Sequence, residues 1–327
     1  MKKYGTHLLI IVCAVMALFF IATKHENIVL AETIDNGSCG ENLTWELDGD
    51  VLTISGTGDM DSYGNIGNLA PWHDYRENIK TVKINEGVTS IGNQAFYSFI
   101  QLQKIYLPNS LSKVCDSPFY HSSYSFDIYI NSLEMWCNLK YPDGMGWEGD
   151  HDLYYDEKIL KEFNVPKSIT EIGDFAFRDI NISKVILHEG ITKLGKLAFY
   201  NCEYLTSISI PENVSYIGAS AFQGCKCLTS VSVHENVSYI GESCFSDCNN
   251  LYKINLPDKL KSLENSLFSG CTSLTKINIP SNLEIVSDYT FHWCTSLESI
   301  QLPGTVRKIG GRAFNHCTSL TELMVPE

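Results

Sequence analysis

Positive charge is scarce in this chain of 327 residues. Lysine and arginine number 24 against 38 aspartates and glutamates, for a formal net charge of −14. Nucleic-acid binding needs a basic footprint, so that class is excluded. Acidity of this kind favours solubility and names no partner. Two common catalytic signatures are missing as well: there is no Gly-x-Ser-x-Gly elbow and no phosphate-cradling glycine-rich loop, which removes hydrolase-elbow and Walker-type chemistry. Long apolar runs are confined to the first residues.

That first stretch reads as a secretion signal over residues 1–31. Lys2 and Lys3 precede an apolar run that is strongest from Leu8 to Phe20, and Val29, Leu30 and Ala31 offer a small-residue cleavage site. The run is short for a transmembrane helix. No second apolar span follows, and no sorting signal is recognisable after the last repeat. The expectation is a secreted chain with no membrane span once the signal is cleaved.

What the chain has in abundance is periodicity. Cys202, Cys225, Cys248, Cys271, Cys294 and Cys317 recur every 23 residues, and a phenylalanine stands three positions before each, at 199, 222, 245, 268, 291 and 314. A fixed period in the twenties marks one coil of a repeat solenoid, a unit too small to bury its apolar face except against its neighbours. Each coil opens with an alternating stretch such as Leu205, Ile208 and Ile210 separated by polar residues, the pattern of a short strand. Strands that recur once per coil in one direction stack as a parallel sheet. Proline at 211, 257, 280, 303 and 326 ends the pairing. Glycine at 92, 173, 195, 218, 241 and 310 marks a tight turn, but Glu264 and Ser287 fill the same column, so a positive φ is not expected there. The segment from Ala221 and Phe222 to Cys225 is too short for a confident helix, and an irregular or short helical side is expected.

Twelve cysteines in a secreted chain would ordinarily imply disulfides. Their column also accepts Phe99 and Ile180, which makes it an apolar interior slot where free cysteine acts as a small hydrophobe. Cys244 replaces the alanine of the Ala-Phe pair and reads as core, whereas Cys227 precedes a strand. The spacing breaks between Phe119 and Phe177, so residues 121–163 form an atypical insert within a solenoid of residues 76–327. Ahead of it, two alternating runs ending at Leu47 and beginning at Val51 flank Asp48, Gly49 and Asp50, a β-hairpin signal. Residues 32–75 therefore read as a small N-terminal β cap. The far end stops at Pro326 and Glu327, just after a strand. Either the product is truncated or a partner or second copy covers that edge.

The unit Leu205, Thr206, Ser207, Ile208, Ser209, Ile210, Pro211, then Val214, Ile217, Gly218, Ala221, Phe222 and Cys225 resembles the BspA-type (treponemal-type) leucine-rich repeat. The resemblance covers roughly residues 76–327. The stretch from Cys39 through Trp45 and Gly58 to Trp72 resembles the cap that precedes such repeats. The insert, with Trp136, Cys137, Tyr154 and Tyr155, resembles a recurrent element of those proteins. It implies a leucine-rich-repeat fold and a secreted or surface-exposed bacterial protein that binds host matrix proteins or other cells. No catalytic residues come with it.

Binding by such a solenoid uses the concave strand face, where polar positions line up in rows. The candidates are Lys83, Lys104, Tyr106, Lys253, Asn255, Lys276, Asn278 and Gln301, side chains able to hydrogen-bond an extracellular protein or a glycan, a host matrix glycoprotein among them. A bare solvated face is the competing reading. No metal site is expected. His188 and His234 lie two coils apart, about 10 Å by rung spacing, too far to share an ion. Asp59, Asp61 and Gly64 begin like a calcium loop, but Ala70 stands where its glutamate belongs. Glu148, Asp150, Asp152, Asp156 and Glu157 could form a glycosidase pair or a calcium site, but such a run reads first as a solvated loop. With no cofactor implied, the expectation is a non-catalytic adhesion-type module. The alternative is a secreted scaffold that self-associates or recruits a partner through its uncapped C-terminal edge.

Overall fold

The computed structural model describes residues 35–64, 67–142 and 149–325. The expected secretion signal (1–31), residues 143–148 with Glu148, and the last residues Pro326 and Glu327 lie outside the described residues.

The chain is a parallel β-solenoid. Ser207–Ser209 pairs with Ser230–Ser232, then Lys253–Asn255, then Lys276–Asn278, each residue opposite its counterpart one coil away. Besides the strand expected in each coil there is a second, two-residue one at the Ile-Gly column. Lys193–Leu194, Tyr216–Ile217 and Tyr239–Ile240 form such a ladder. Two residues are too few to show an alternation, so only the isoleucine column hinted at it. Gly218 and Gly241 in this column have ordinary φ but stand so close to the preceding coil that a Cβ would run into its backbone.

At the N-terminal end, strands β1 (Asp35–Gly40), β2 (Leu43–Asp48) and β3 (Val51–Gly56) form an antiparallel meander. β2 and β3 turn through Gly49, at φ +60°, and Asp50, a glycine-first two-residue hairpin loop. β3 then pairs in parallel with Thr81–Ile84 and hands over to the solenoid. β1, rich in glycine and polar residues, gave no strand signal. Trp72 is fully buried, stacks on Phe96 at 5.9 Å and donates its indole N–H to the Ala95 carbonyl at 2.7 Å.

Phe177, Phe199, Phe222, Phe245, Phe268, Phe291 and Phe314 continue as a face-to-face column, with successive centroids 5.2 to 5.7 Å apart. Every phenylalanine of the repeat, from Phe96 to Phe314, is bracketed at two residues on either side by a left-handed residue; for Phe245 these are Ser243 (φ +54°) and Asp247 (φ +57°). The hydrogen bonds explain the pattern. Ser243, Phe245 and Asp247 donate their N–H groups to Asn265, Leu267 and Ser269 of the next coil, while Cys244, Ser246 and Cys248 donate within their own coil to Gly241, Ser243 and Phe245. Alternate N–H groups thus serve alternate coils. A left-handed residue other than glycine costs about 1–2 kcal/mol, least for the Asn and Asp that recur there.

The ladder cysteines form no disulfides, and all but the half-buried Cys317 are buried. Each ladder thiol donates to a phenylalanine carbonyl of the coil before it, as Cys225 Sγ does to Phe199 at 3.1 Å. That carbonyl already accepts the Cys202 N–H, so the thiol satisfies its second lone pair. Ser122 does the same to Phe96 at 2.6 Å. The slot therefore calls for a small donor as well as for apolar bulk.

The insert interrupts this order. Asp127–Ile130 and Leu153–Tyr155 extend the first sheet in parallel, and Lys158–Ile159 folds back antiparallel and ends it. A short helix, Leu133–Asn138, capped by the Ser132 hydroxyl, buries Met135, Trp136 and Cys137. Phe126 and the fully buried His151, 4.2 Å apart, carry the aromatic column through the insert. A new sheet begins at Glu162–Asn164.

Burial raises every ladder thiol above its ordinary 9.0, Cys317 to about 11, and Cys39 and Cys137 off the ladder to about 12. The fold favours the neutral thiols, so their contribution is complete below pH 9.0 and is lost as pH rises toward the folded values. Unfolding free energy should therefore hold level to about pH 9 and fall steeply through pH 10–12. In native protein at pH 8 only the half-exposed thiols, Cys227 foremost, should react promptly with a thiol-specific reagent. Prompt reaction of Cys225 or Cys248 would contradict the ladder.

Candidate functional site

The outward rows of the first sheet converge on a row of tyrosines. Lys83 stands opposite Tyr106, Tyr106 opposite Tyr129, and Tyr129 opposite Tyr154. Rings in register on parallel strands meet face to face: Tyr106 and Tyr129 stack at 4.5 Å and 21°, Tyr129 and Tyr154 at 4.6 Å and 16°. The faces cover one another, so the row presents ring edges and phenolic hydroxyls. Beside it runs a charged row in which Lys104 faces Asp127 and Lys161 holds Asp152 at 2.9 Å. The Lys104 ammonium also lies 5.8 Å from the Tyr129 ring centre, within cation–π range. A shallow cleft of about 260 Å³ borders the row, lined by Lys83, Asn85, Glu86, Tyr106, Pro108 and Asn131, among others.

The electrostatics keep Tyr129 and Tyr154 neutral. Burial, then the Asp127 carboxylate, pushes the Tyr129 phenol up to about 12, and burial with Asp127 and Asp152 raises Tyr154. Both hydroxyls remain donors as well as acceptors at any physiological pH. Burial and Asp152 also lift the Asp127 carboxyl above its ordinary 3.8, against the pull of Lys104.

Of the residues singled out in the sequence, Lys83, Lys104 and Tyr106 belong to this patch. The others lie beyond the insert, on different sheets. Lys253 and Lys276 are exposed and directly opposite each other, as are Asn255 and Asn278. Asn278 is already engaged, its amide clasping the N–H and carbonyl of Leu256 at 2.9 Å each. Gln301 sits on a two-stranded ladder with Glu322–Met324. Tyr129 and Asp127 stand one 23-residue period after Tyr106 and Lys104 but were passed over because residues 121–163 read as an atypical insert; Tyr154 and Asp152 follow 25 residues later, out of step, and were noted only in the insert motif and in the acidic run.

The histidines act as turn residues: His188 bridges the Pro166 carbonyl and the Gly190 N–H, and His234 accepts from the Asn236 N–H. Asp59 takes the Thr89 hydroxyl at 2.6 Å and the Lys113 ammonium at 3.5 Å. Among the described residues no helix is long and apolar enough to cross a membrane.

Six copies of the BspA type leucine rich repeat region are recognised in the chain, over residues 73–136, 150–274 and 220–327. No curated protein matches it. Among solved structures, a leucine-rich repeat protein from Eubacterium ventriosum is 23% identical with a TM-score of 0.53, over 88% of this chain and 96% of that one, and shares the fold. A leucine rich cell surface protein from Faecalibacterium prausnitzii is 20% identical with a TM-score of 0.48, over 87% and 93%. A leucine-rich repeat protein from Bacteroides ovatus is 19% identical with a TM-score of 0.49, over 92% and 89%.

Because the fold favours the neutral Asp127 carboxyl, stability from this position is complete below pH 3.8 and declines as pH rises through the folded value. Asp127→Asn should raise the melting temperature at pH 7 and leave it unchanged at pH 3, as read by calorimetry. A lower melting temperature at pH 7 would show that the carboxylate is needed by the fold.

Proposed function

The chain belongs to the BspA type leucine-rich-repeat family, and from that footing we propose that it is a secreted, surface-exposed, non-catalytic binding module that holds an extracellular protein partner on its tyrosine row. The observation that carries the reading is the stacked trio Tyr106, Tyr129 and Tyr154 on an otherwise polar sheet face. Tyrosine concentrates where proteins meet, because a rigid ring supplies contact area at low entropic cost and its hydroxyl finds a partner when desolvated. Register and stacking preorganise these three rings, so little ordering remains to be done on association.

The surroundings favour a protein over a flat apolar ligand. The two stacks turn four of the six ring faces toward one another, whereas edges and hydroxyls suit backbone and side-chain polar groups. Lys83 and Lys104 toward one end, with Asp127 and Asp152 toward the other, give the patch two signs of charge, which fixes orientation and rejects mismatched partners. Extracellular matrix glycoproteins are the partner class to try first. The secretory reading is supported by residues 1–31.

The test is surface binding of the purified chain to a panel of matrix glycoproteins. Saturable binding to at least one is expected, weakened by at least about tenfold in the Tyr106→Ala, Tyr129→Ala, Tyr154→Ala triple variant, as for a hot-spot cluster. The Lys253→Ser, Lys276→Ser variant should bind normally. A triple variant that keeps its melting profile and binds as well as the parent would contradict the assignment.

A further inference from the structure

We propose that the cavity between the N-terminal cap and the coil of Phe96 binds an uncharged aromatic compound of one or two rings that carries an N–H or O–H donor, the chemistry of an indole or a phenol. The site shares no residue with the tyrosine row and does not rest on that reading.

The cavity arises at the join between cap and repeat. Within the repeat, three alternate carbonyls around each phenylalanine turn toward the coil before and accept its N–H groups. Ala219, Ala221 and Gln223 take Leu197, Phe199 and Asn201 in this way, at 2.8 to 2.9 Å. Their counterparts around Phe96 are Asn93, Ala95 and Tyr97, and what precedes them is the cap. Asn93 takes the Tyr63 N–H at 2.9 Å. Ala95 takes a side chain instead of a backbone group, the Trp72 indole N–H at 2.7 Å, so the two turns stand apart by the reach of a tryptophan. The Tyr97 carbonyl receives no hydrogen bond among the described residues. A cavity of about 250 Å³ remains at this junction.

The lining sets the chemistry of the occupant. Its walls are the side chains of Leu69, Ala70 and Phe99 and the rings of Tyr63 and Tyr97. Among the described residues no Lys, Arg, Asp or Glu lines it, so an ionic ligand would lose its hydration without gaining a counter-charge. The rings already show how they pack: Tyr63 meets Trp72 edge-on at 5.9 Å, and His73 lies nearly parallel to Tyr97 at 6.5 Å. A further flat ring extends the same contacts. Size agrees as well, since an apolar cavity of about 150 Å³ holds a benzene-sized molecule. Leu69 is 54% exposed, and His73, Gln94 and Tyr97 are half-buried, so solvent reaches the cavity.

The polar groups are few and unspent. The Gln94 carboxamide packs over Gly64 and makes no hydrogen bond among the described residues; it offers a donor and an acceptor. The Tyr97 carbonyl is an acceptor that the repeat would have given an N–H. A ring bearing one N–H or O–H supplies the missing donor, and a small number of placed polar groups in an apolar pocket is the usual basis of small-molecule specificity.

The experiment follows the full chain by ligand-observed NMR with indole, phenol, benzothiophene, indole-3-carboxylate and cyclohexanol. Indole or phenol should bind with a Kd below about 1 mM. Benzothiophene keeps the shape of indole without its N–H, indole-3-carboxylate adds a charge, and cyclohexanol keeps a hydroxyl without an aromatic ring; each should bind at least about tenfold more weakly. Ala70→Leu, which fills the cavity, should weaken indole binding by a similar factor. Gln94→Gly, which suits the φ of +47° at that position and leaves the core untouched, should weaken it too, and it decides the matter if Ala70→Leu melts early. The proposal is overturned if neither indole nor phenol binds below about 1 mM, if benzothiophene or the carboxylate binds as tightly as indole, or if Gln94→Gly and a stably folded Ala70→Leu both bind as the parent does.

Discussion

Every peptide group at the phenylalanine turn has to find a partner, in its own coil or in the next. That requirement shapes the solenoid more than any single apolar contact. Two left-handed residues per coil divide the N–H groups between the two destinations, and the phenylalanine between them is drawn inward. An unpaired buried peptide group costs roughly as much as a lost hydrogen bond, about 1–3 kcal/mol each, so a coil that failed to adopt this turn would lose several at once. The thiol column follows from the same need, since each sulfur completes a carbonyl that the turn leaves with one lone pair free.

Much of this could be read before the fold was seen, and the boundary of what could not is physical. The period, the parallel stacking and the inward stripes follow from residue type and spacing, because burial of a stripe is a property of the stripe. The left-handed brackets do not follow in that way. Their columns hold Ser243, Leu197 and Tyr289 as readily as Gly224, so no residue type announces them. β1 was hidden for a similar reason: Asp35–Gly40 draws its pairing from β2, not from its own composition. The candidate face was half legible. Lys83, Lys104 and Tyr106 emerged from the row pattern, while Tyr129, in step with Tyr106, lay inside a segment read as an insert, and Tyr154 fell 25 residues further on, out of step with the repeat. Asn278 shows the opposite error. It looked available as a polar side chain in a strand row, yet it bonds both polar groups of Leu256, because the sheet needs an acceptor and a donor there.

The two sides of the coil present aromatic residues in different ways, and the backbone decides which. On strands in register, identical rings stack on one another and expose their rims. On the turn side, Trp293 stacks on His316 of the next coil and stays exposed. A repeat scaffold can thus carry contact surfaces of different chemistry without altering its core, since surface columns are free to vary wherever the inward ones are kept. The acidic balance of the chain leaves patches such as Lys83 with Lys104 locally distinct.

Amide hydrogen exchange is the most direct test of the coil-to-coil bonding at the turn. The N–H groups of Ser243, Phe245 and Asp247 should be protected to the same degree as those of the strand residues Val231 and Ile254, although they lie in segments without regular secondary structure. Exchange at those three positions at the rate of an open loop, with the strand amides still protected, would contradict the account.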